Sequence, residues 1–224
     1  MPRMATDTTA LVVYGGWDGH MPSEVSTFFA EMLTGMGENV LRSDSLDAFL
    51  DLDAMPNLRI IVPVWTMGEM TNEQVKPVLQ AVEHRGVGMA GCHGGMCDAF
   101  RNCTEWQFLT GGQWVAHPGD DQVEYEVEIC GEHEITTGIA NFSCKSEQYY
   151  LHTDPANQVL ATTKFPIAEG PHTTNGNVTM PVVWTKMYGT GRVFYCSLGH
   201  RLSDLTVEPV CTIMRRGIDW AMKN

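Results

Sequence analysis

One stretch of the chain combines a cysteine and a histidine with a cluster of glycines. Residues 87–100 read VGMAGCHGGMCDAF, which is an apolar run, then the glycines, then a segment compatible with a helix. This order predicts a strand, a sharp turn and a helix, with one side chain held above the sheet. Because such a turn leaves no room for branched neighbours, small residues must flank the exposed one. Glycines alone would fit a plain connection, but Cys92 and His93 indicate a site.

Two frames of this turn lead to different chemistry. With Cys92 at the apex, the small residues two positions away are an alanine and a glycine, and the site would carry a thiol nucleophile. With His93 at the apex, both flanking positions are glycine, and the imidazole suits a metal ion or proton transfer. The spacing slightly favours the second frame.

Two further histidines follow predicted strands. His20 ends the loop GGWDGH after an apolar run at 10–14, and His200 follows the run at 192–197. Because the carboxyl ends of parallel strands share one edge of a sheet, we expect His20, His93 and His200 to line one rim. The first loop has neither G-x-G-x-x-G nor a Walker lysine, so it is not a phosphate-binding motif.

The elements that would position these residues alternate between strand and helix in the first half of the chain. A capping box at Thr71 and Gln74 predicts the start of one helix, and Pro63 suggests that its strand leaves the ladder there. The pattern predicts strands at 10–14, 39–42, 58–65 and 87–92, with helices from Ser23 to 33, from 71 to 84 and from 96 to 109. This alternation is typical of a doubly wound parallel sheet.

The second half is richer in strands. Residues 122–129 alternate strictly between apolar and glutamate side chains, which predicts a half-buried strand. Further strands are predicted at 159–163, 181–186 and 192–197, and a last helix at 208–222. We therefore expect a flexible tail over residues 1–8 and one domain over 9–224, with a β-rich insertion at roughly 120–190.

The composition limits the class of protein. With 224 residues, 43% of them hydrophobic, the chain can form one sizeable core. The formal net charge of −13 argues against binding to nucleic acid or to an anionic membrane surface. We find no apolar run of membrane-spanning length and no signal-peptide pattern. Seven cysteines without a Cys-x-x-Cys pair predict reduced thiols in a cytoplasmic protein.

An ordered set of segments resembles the ThuA family, the trehalose-utilisation group, whose fold is similar to class I glutamine amidotransferases. The matching segments are GCHGGMCDAFR (91–101), LTGGQWVAHP (109–118), HEITTGI (133–139), SEQYY (146–150), PVVW (181–184), GTGRVFY (189–195) and LGH (198–200). The resemblance implies a single-domain, three-layer αβα sandwich around a doubly wound, mostly parallel sheet of flavodoxin type.

The resemblance also favours one frame of the turn. It implies that His93 takes the place of the nucleophilic cysteine, that His200 is the later histidine, and that Cys92 points back toward the sheet. Glutamine hydrolysis is then not expected. It further places Glu147 and His152 near the cleft, so the predicted catalytic residues are His93, His200 and Glu147.

Several imidazoles beside a carboxylate suit a divalent metal, and zinc is the predicted ion. The predicted ligands are His20, His93, His200 and His152. Trp17, Asp18, Trp65 and Tyr150 are predicted to bind substrate, with Trp114 as a further stacking residue, whereas His117 is interpreted as a loop residue.

From these features we expect a cytoplasmic enzyme of carbohydrate metabolism that acts on a sugar or keto-sugar. The reaction would be metal-assisted proton transfer, in isomerisation or elimination, or else hydrolysis, without a cysteine nucleophile. One alternative is a non-catalytic sugar-binding or regulatory module on a degenerate amidotransferase fold. The other is an amidohydrolase that uses Cys92. The expected partner is a small-molecule sugar, and a homo-oligomer is left open.

Overall fold

A computed structural model describes residues 7–223 and folds them around one large sheet. The strands are β1 Ala10–Gly16, β2 Val40–Ser43, β3 Ile60–Thr66, β4 Gly88–Cys92, β5 Gly112–Ala116, β6 Val123–Ile129, β7 Phe142–Ser146, β8 Tyr150–Thr153, β9 Gln158–Phe165, β10 Val178–Tyr188 and β11 Gly191–Cys196. The helices are α1 Pro22–Gly35, α2 Asn72–Arg85, α3 His93–Cys97, α4 Thr104–Thr110, α5 Leu202–Leu205 and α6 Glu208–Ala221, with 3-10 helices at Asp18–His20, Leu46–Ala54, Asp120–Gln122 and Pro171–Asn175. Within residues 7–223 no helix is both long and apolar enough to cross a membrane.

The sheet has nine strands in the order β2-β1-β3-β4-β11-β10-β9-β6-β7. The first five are parallel, and their order is the flavodoxin order when β11 is counted as the fifth strand. The other four pair antiparallel, so the predicted β-rich insertion extends the same sheet. β5 and β8 form a separate antiparallel pair. The predicted α/β sandwich is confirmed.

Both faces of the sheet are covered, because successive side chains of a strand point to opposite sides. Val12 of β1 packs in one core with Phe29 of α1 and Ile213 of α6. Its neighbour Val13 packs in the other core with Val78 of α2, together with Trp106 of α4. The three layers of the sandwich follow from this alternation.

Pro63 lies in the central strand β3, and the pairing on its two sides explains how the strand accommodates it. Toward β1 the ladder continues through Pro63 to Thr66. Toward β4 it ends at Ile61, two residues earlier. Because proline has no N–H to donate, it is tolerated where one neighbour has already diverged. The prediction that the strand leaves the ladder here holds on the β4 side only.

Two predicted helix boundaries are wrong. α1 begins at Pro22 with Met21 as its N-terminal cap at φ 49°, rather than at Ser23, because proline is well suited to the first helical position. The single helix predicted at 96–109 is two short helices, α3 and α4. The connection between them is fixed by backbone hydrogen bonds from Met67 to Asp98 (2.8 Å) and from Gly68 to Ala99 (2.6 Å), which compete with a continuous helix.

The start of the chain is packed closer to the N-terminus than predicted. Residues 1–6 of the predicted tail lie outside the described residues, but Thr8 is only 4% exposed. The next residue, Thr9, accepts a hydrogen bond from the Arg59 N–H at 2.8 Å, and its own N–H donates to Asn39 at 3.0 Å. These contacts tie the entry of β1 to neighbouring strands.

Candidate functional site

Four side chains from distant parts of the chain meet at the carboxyl edge of the parallel strands. His20 follows β1, His93 follows β4, His200 follows β11, and Glu147 follows β7. One ligand atom from each of them lies within 4.8 Å of the others. This is the edge at which open α/β sheets bind ligands.

The turn after β4 has His93 at its apex. β4 ends at Cys92 in extended conformation, and His93 then takes φ 47°, a left-handed backbone conformation that is strained for a residue with a side chain. A Cβ added at Gly91 or Gly95 would lie 2.8 or 3.2 Å from the nearest heavy atom. Both flanking positions are therefore tightly packed, which favours glycine there, as the second frame of the motif predicts.

Cys92 lies below the apex and is a poor nucleophile. Its side chain is buried at 5% exposure. Burial, and then the neighbouring Cys196, raise the pKa of the Cys92 thiol well above its ordinary value. Since the thiolate is the reactive form, this cysteine is held in an inert state.

The contacts of His93 leave one nitrogen facing a carboxylate. Nδ1 lies 2.8 Å from the Ser197 carbonyl, and because a carbonyl only accepts, Nδ1 carries the proton. Nε2 lies 3.1 Å from Glu147 Oε2. In the neutral imidazole this arrangement sets two lone pairs against each other, which a cation between them would relieve. Two ligands of a tetrahedral zinc ion are about 3.3 Å apart for bonds of about 2.0–2.1 Å, close to this separation.

His20 and His200 supply two further nitrogens. His20 Nδ1 lies 2.9 Å from Thr66 Oγ1, which leaves Nε2 as the nitrogen able to bind an ion. Burial, then the neighbouring His93 and His200, lower the pKa of His20 to about 3, so the ring is neutral. His200 Nδ1 lies 3.3 Å from Glu147 Oε1. This buried atom has no hydrogen-bond partner among residues 7–223.

Glu147 is ionised within this group of imidazoles. Burial alone would raise the pKa of its carboxyl, but the adjacent His200 and His93 outweigh that effect and hold the pKa well below the ordinary value. Three imidazole nitrogens, one of them unpartnered, and one carboxylate make a donor set that fits a divalent ion such as zinc. We refer to His20, His93, Glu147 and His200 as the His/Glu cluster.

A cleft of about 430 Å³ opens above the His/Glu cluster. His117 lines it, with Nε2 3.9 Å from Glu147 Oε1 and Nδ1 3.4 Å from Asp120 Oδ1. Tyr149 stacks on His93, with the ring centroids 4.0 Å apart. The other lining residues are Trp17, His20, Thr66, Met67, Asp98, Arg101, Trp114, Asp120, Asp121, Glu147 and His200.

One wall of the cleft holds a fixed guanidinium. Arg101 bonds the buried carboxylate of Asp98 through Nε at 2.6 Å and Nη2 at 2.9 Å. Its guanidinium also lies 4.5 Å from the ring centroid of Trp114. The two contacts hold the arginine in one orientation and leave Nη1 available to a ligand.

Strained backbone is concentrated around the cleft. Among residues 7–223, four non-glycine residues have positive φ, namely Met21, Met67, His93 and Asp120. Met67 and Asp120 line the cleft, Met21 follows His20, and His93 is the apex itself. Such strain persists only where the surrounding structure imposes it, and it clusters at functional sites.

The structure brings some of the predicted residues to the site and places others elsewhere. His152 is exposed on β8, outside the His/Glu cluster, because the alternation of the strand buries Leu151 and turns His152 the other way. Trp17 lines the cleft, and Asp18 is exposed in the same turn. Trp65 packs over Gly15 and Gly68 instead. Tyr150 packs against Phe165 at 5.1 Å between ring centroids.

Sequence reasoning missed several residues of the cleft. Tyr149, Asp98 and Arg101 were not proposed for it, and His117 was interpreted as a loop residue. His117 and Asp120 follow β5, a five-residue strand that the pattern did not predict. A usable signal was the occurrence of Trp114 and His117 together in LTGGQWVAHP, one of the segments that resemble the family.

Comparisons with solved structures place the whole chain in one fold. A ThuA-like protein from Bacteroides uniformis ATCC 8492 aligns with TM-score 0.76 and 19% identity over 97% of this chain and 92% of that one. A ThuA-like protein from Parabacteroides merdae ATCC 43184 aligns with TM-score 0.75 and 18% identity over 96% and 90%. A cytoplasmic protein from Salmonella typhimurium LT2 aligns with TM-score 0.68 and 12% identity over 96% and 100%.

At these identities the structural likenesses establish the fold. No curated protein sequence matches the chain. The model of the ThuA family, described as trehalose utilisation, matches residues 9–221. That span includes every residue of the His/Glu cluster and of the cleft above it, and the chain therefore belongs to the ThuA family.

Proposed function

We propose that this protein is an enzyme of carbohydrate metabolism that acts on a keto-sugar by ion-assisted proton transfer, without a cysteine nucleophile. The observation that carries the proposal is the His/Glu cluster, whose ligand atoms lie within 4.8 Å of one another at the base of the cleft. The family's association with trehalose utilisation supports a sugar as the substrate class.

His20, His93, Glu147 and His200 would hold the divalent ion, and zinc suits this donor set best. When bound, such an ion acts as a Lewis acid that polarises a substrate oxygen. The surrounding residues would hold the ligand nitrogens in the orientation that binds the ion. The Ser197 carbonyl fixes the tautomer of His93 (2.8 Å) and Thr66 orients His20 (2.9 Å).

His117 is the group best placed to move a proton. If His93 and Glu147 hold the ion, neither is available as the base, so we assign that role to His117. Its ring lines the cleft, with Nε2 3.9 Å from Glu147 Oε1 and so beside the proposed ion, while Nδ1 lies 3.4 Å from Asp120 Oδ1 and has no hydrogen-bond partner among residues 7–223. The proton taken would be the one on the carbon beside the substrate carbonyl.

The walls of the cleft suit a sugar. Trp17 and Trp114 offer aromatic faces on which the apolar side of a pyranose can stack, and Arg101 Nη1 can donate to ring hydroxyls. The volume of about 430 Å³ lies within the range of about 300–1,000 Å³ usual for small-molecule sites.

The competing functions differ in what they require of the site. The buried, protonated thiol of Cys92 argues against an amidohydrolase. Hydrolysis by the same ligands is the second reaction to consider, because it needs no change in the cluster. A non-catalytic sugar-binding module would bind sugar without turnover.

A cytoplasmic location is supported by seven free thiols and by the cytoplasmic Salmonella neighbour.

Zinc titration of chelator-treated protein tests the metal site. We expect one zinc per chain by calorimetry, with affinity falling at acid pH because the imidazoles must be neutral and the carboxylate ionised to bind. His93→Ala should lose this binding. The exposed His152→Ala is the matched control and should keep it. Well under one zinc per chain in the wild type would refute the site.

Isotope exchange separates proton transfer from hydrolysis. In deuterium oxide, keto-glycosides incubated with the protein should gain solvent deuterium on the carbon beside the carbonyl, and His117→Gln should abolish this gain while zinc binding persists. Turnover without carbon-bound deuterium would leave hydrolysis standing. Binding of the keto-glycoside with neither deuterium incorporation nor turnover would favour the non-catalytic sugar-binding module.

A further inference from the structure

A second, smaller pocket adjoins the cleft on the far side of His200. It measures about 220 Å³. His200 and Asp121 line both cavities. The volume of this side pocket lies below the range of about 300–1,000 Å³ usual for independent ligand sites. Its size therefore suits an extension of the cleft.

The chemistry of the two cavities differs sharply. The cleft is lined by Trp17, Trp114 and Tyr149 among other residues. The side pocket has only polar and charged side chains, among them Lys145 and Ser203, both exposed at its opening. A ligand group that fits there must offer hydroxyls rather than an apolar surface.

The charges of the side pocket are largely neutralised within it. Arg201 forms an ion pair with Asp121. Asp204 accepts hydrogen bonds from Ser146 Oγ at 2.7 Å and from the Arg201 N–H at 3.2 Å. Beyond that ion pair the lining carries one negative charge, on Asp204, and one positive charge, on Lys145, so it is balanced and does not resemble a phosphate or carboxylate site.

We propose that the side pocket is a second subsite, which binds an uncharged, hydroxyl-rich unit joined to the sugar in the cleft. The junction of the two units would lie beside His200, a member of the His/Glu cluster. Asp121, which lines both cavities, and its ion-pair partner Arg201 are then specificity-determining residues. This inference rests on the proposed function, because it assumes a sugar in the cleft.

Calorimetric titrations with defined sugars test the subsite. The probes are methyl α-glucoside, which has one ring, and maltose and trehalose, which have two, each added to the protein with zinc present. We expect wild type to bind one of the two-ring sugars roughly tenfold more tightly than the methyl glucoside. Ser203→Trp, which fills the pocket, should remove that advantage and leave methyl glucoside binding unchanged.

Two further variants test whether the loss of the two-ring advantage comes from filling the side pocket. Gln122→Trp fills the pocket from its other wall and should act as Ser203→Trp does. Thr206→Trp is the matched control, since Thr206 is exposed just beyond α5 and outside the pocket lining, and it should keep the two-ring advantage. Circular dichroism confirms that each variant is folded.

The remaining outcomes separate the two proposals. If methyl glucoside binds but no two-ring sugar binds more tightly, or if both filling variants keep the advantage, the subsite is wrong and the proposed function stands. If wild type binds none of the three sugars, the subsite is wrong, and deuterium exchange on keto-glycosides decides the proposed function separately.

Discussion

At the scale of single residues, Cys92 and His93 are neighbours in sequence but lie in opposite environments. The cysteine is buried against the sheet, whereas the histidine stands at the apex of the turn and contacts Glu147. We therefore predict separate roles for the two residues. Cys92 would serve the packing of the core, and His93 would serve the chemistry of the cleft.

Cys92→Ser should cost about 1 kcal/mol of stability, since it places a more polar atom in a packed site. It should keep zinc binding, and activity within a few-fold of wild type. His93→Ala should lose both zinc and activity. Urea unfolding and zinc titration measure the two effects. An inactive Cys92→Ser beside an active His93→Ala would mean that the thiol is the functional group after all.

The depressed pKa of His20 predicts a pH-dependent stability. Its pKa is about 3 in the folded protein, against about 6.5 when unfolded, so between these values the unfolded chain binds more protons. The free energy of unfolding of the zinc-free protein should therefore fall as pH drops from about 6.5 toward 3.

His20→Asn should flatten this slope between about pH 5 and 6.5, where few carboxylates titrate. Urea denaturation at several pH values measures it. His84→Asn, at an exposed histidine of α2, is the control and should keep the wild-type slope. Equal slopes for wild type and His20→Asn would show that His20 is not held neutral by the fold.

At the scale of elements, α6 lies close to the sheet because one of its residues is a glycine. A Cβ at Gly217 would lie 2.3 Å from the ring of Phe194 on β11. Gly35, the last residue of α1, has open space around it. The two glycines sit in similar helices but in opposite packing environments.

Gly217→Ala should therefore destabilise the protein by about 1–3 kcal/mol through overpacking. Gly35→Ala should stabilise it by about 0.5–1 kcal/mol, because alanine favours the helix and meets no neighbour. Thermal and urea unfolding of both variants test the pair. A neutral Gly217→Ala would mean that α6 can shift away from β11 at little cost.

The elements also show why one half of the molecule was easier to predict than the other. β1, β3 and β4 are buried on both faces, so each appears in the sequence as an apolar run ending in glycine or a turn. β5, β7 and β8 are four or five residues long, and their places depend on partners distant in sequence. Local patterns carry little of that information.

The same difference decided which site residues could be found. His20, His93 and His200 end strongly patterned strands, so their meeting at one rim followed from topology. Glu147 was reached only through the family resemblance, and His117 was missed, because both follow strands of the weakly patterned half. His152 was misplaced because its side chain direction depends on the register of β8.

At the scale of the whole molecule, the His/Glu cluster joins chain positions from 20 to 200, at the ends of four strands of the large sheet. An ion bound there should stabilise the entire fold rather than one loop. At zinc concentrations about 100 times the Kd, linkage predicts about 2.7 kcal/mol of added stability.

Global unfolding followed by circular dichroism should therefore shift to higher urea when zinc is added. His200→Ala should abolish the shift, and His152→Ala should retain it. A shift of equal size in wild type, His200→Ala and His152→Ala would show that zinc binds elsewhere on the chain and not at the His/Glu cluster.

The continuity of the nine-stranded sheet has a consequence for how relatives of this protein could diverge. The parallel half supplies the three imidazoles of the cluster, whereas Trp114, His117 and Tyr149 come from the span between β5 and β8. In the proposed function, the three histidines that hold the ion thus come from the parallel half of the sheet, whereas Glu147, the proposed base His117 and the aromatic residues Trp114 and Tyr149 come from the other part of the chain. A chimaera that exchanged residues 112–165 between two family members, with His117 and Glu147 retained, should shift toward the donor's substrate preference and keep the recipient's ion-binding histidines.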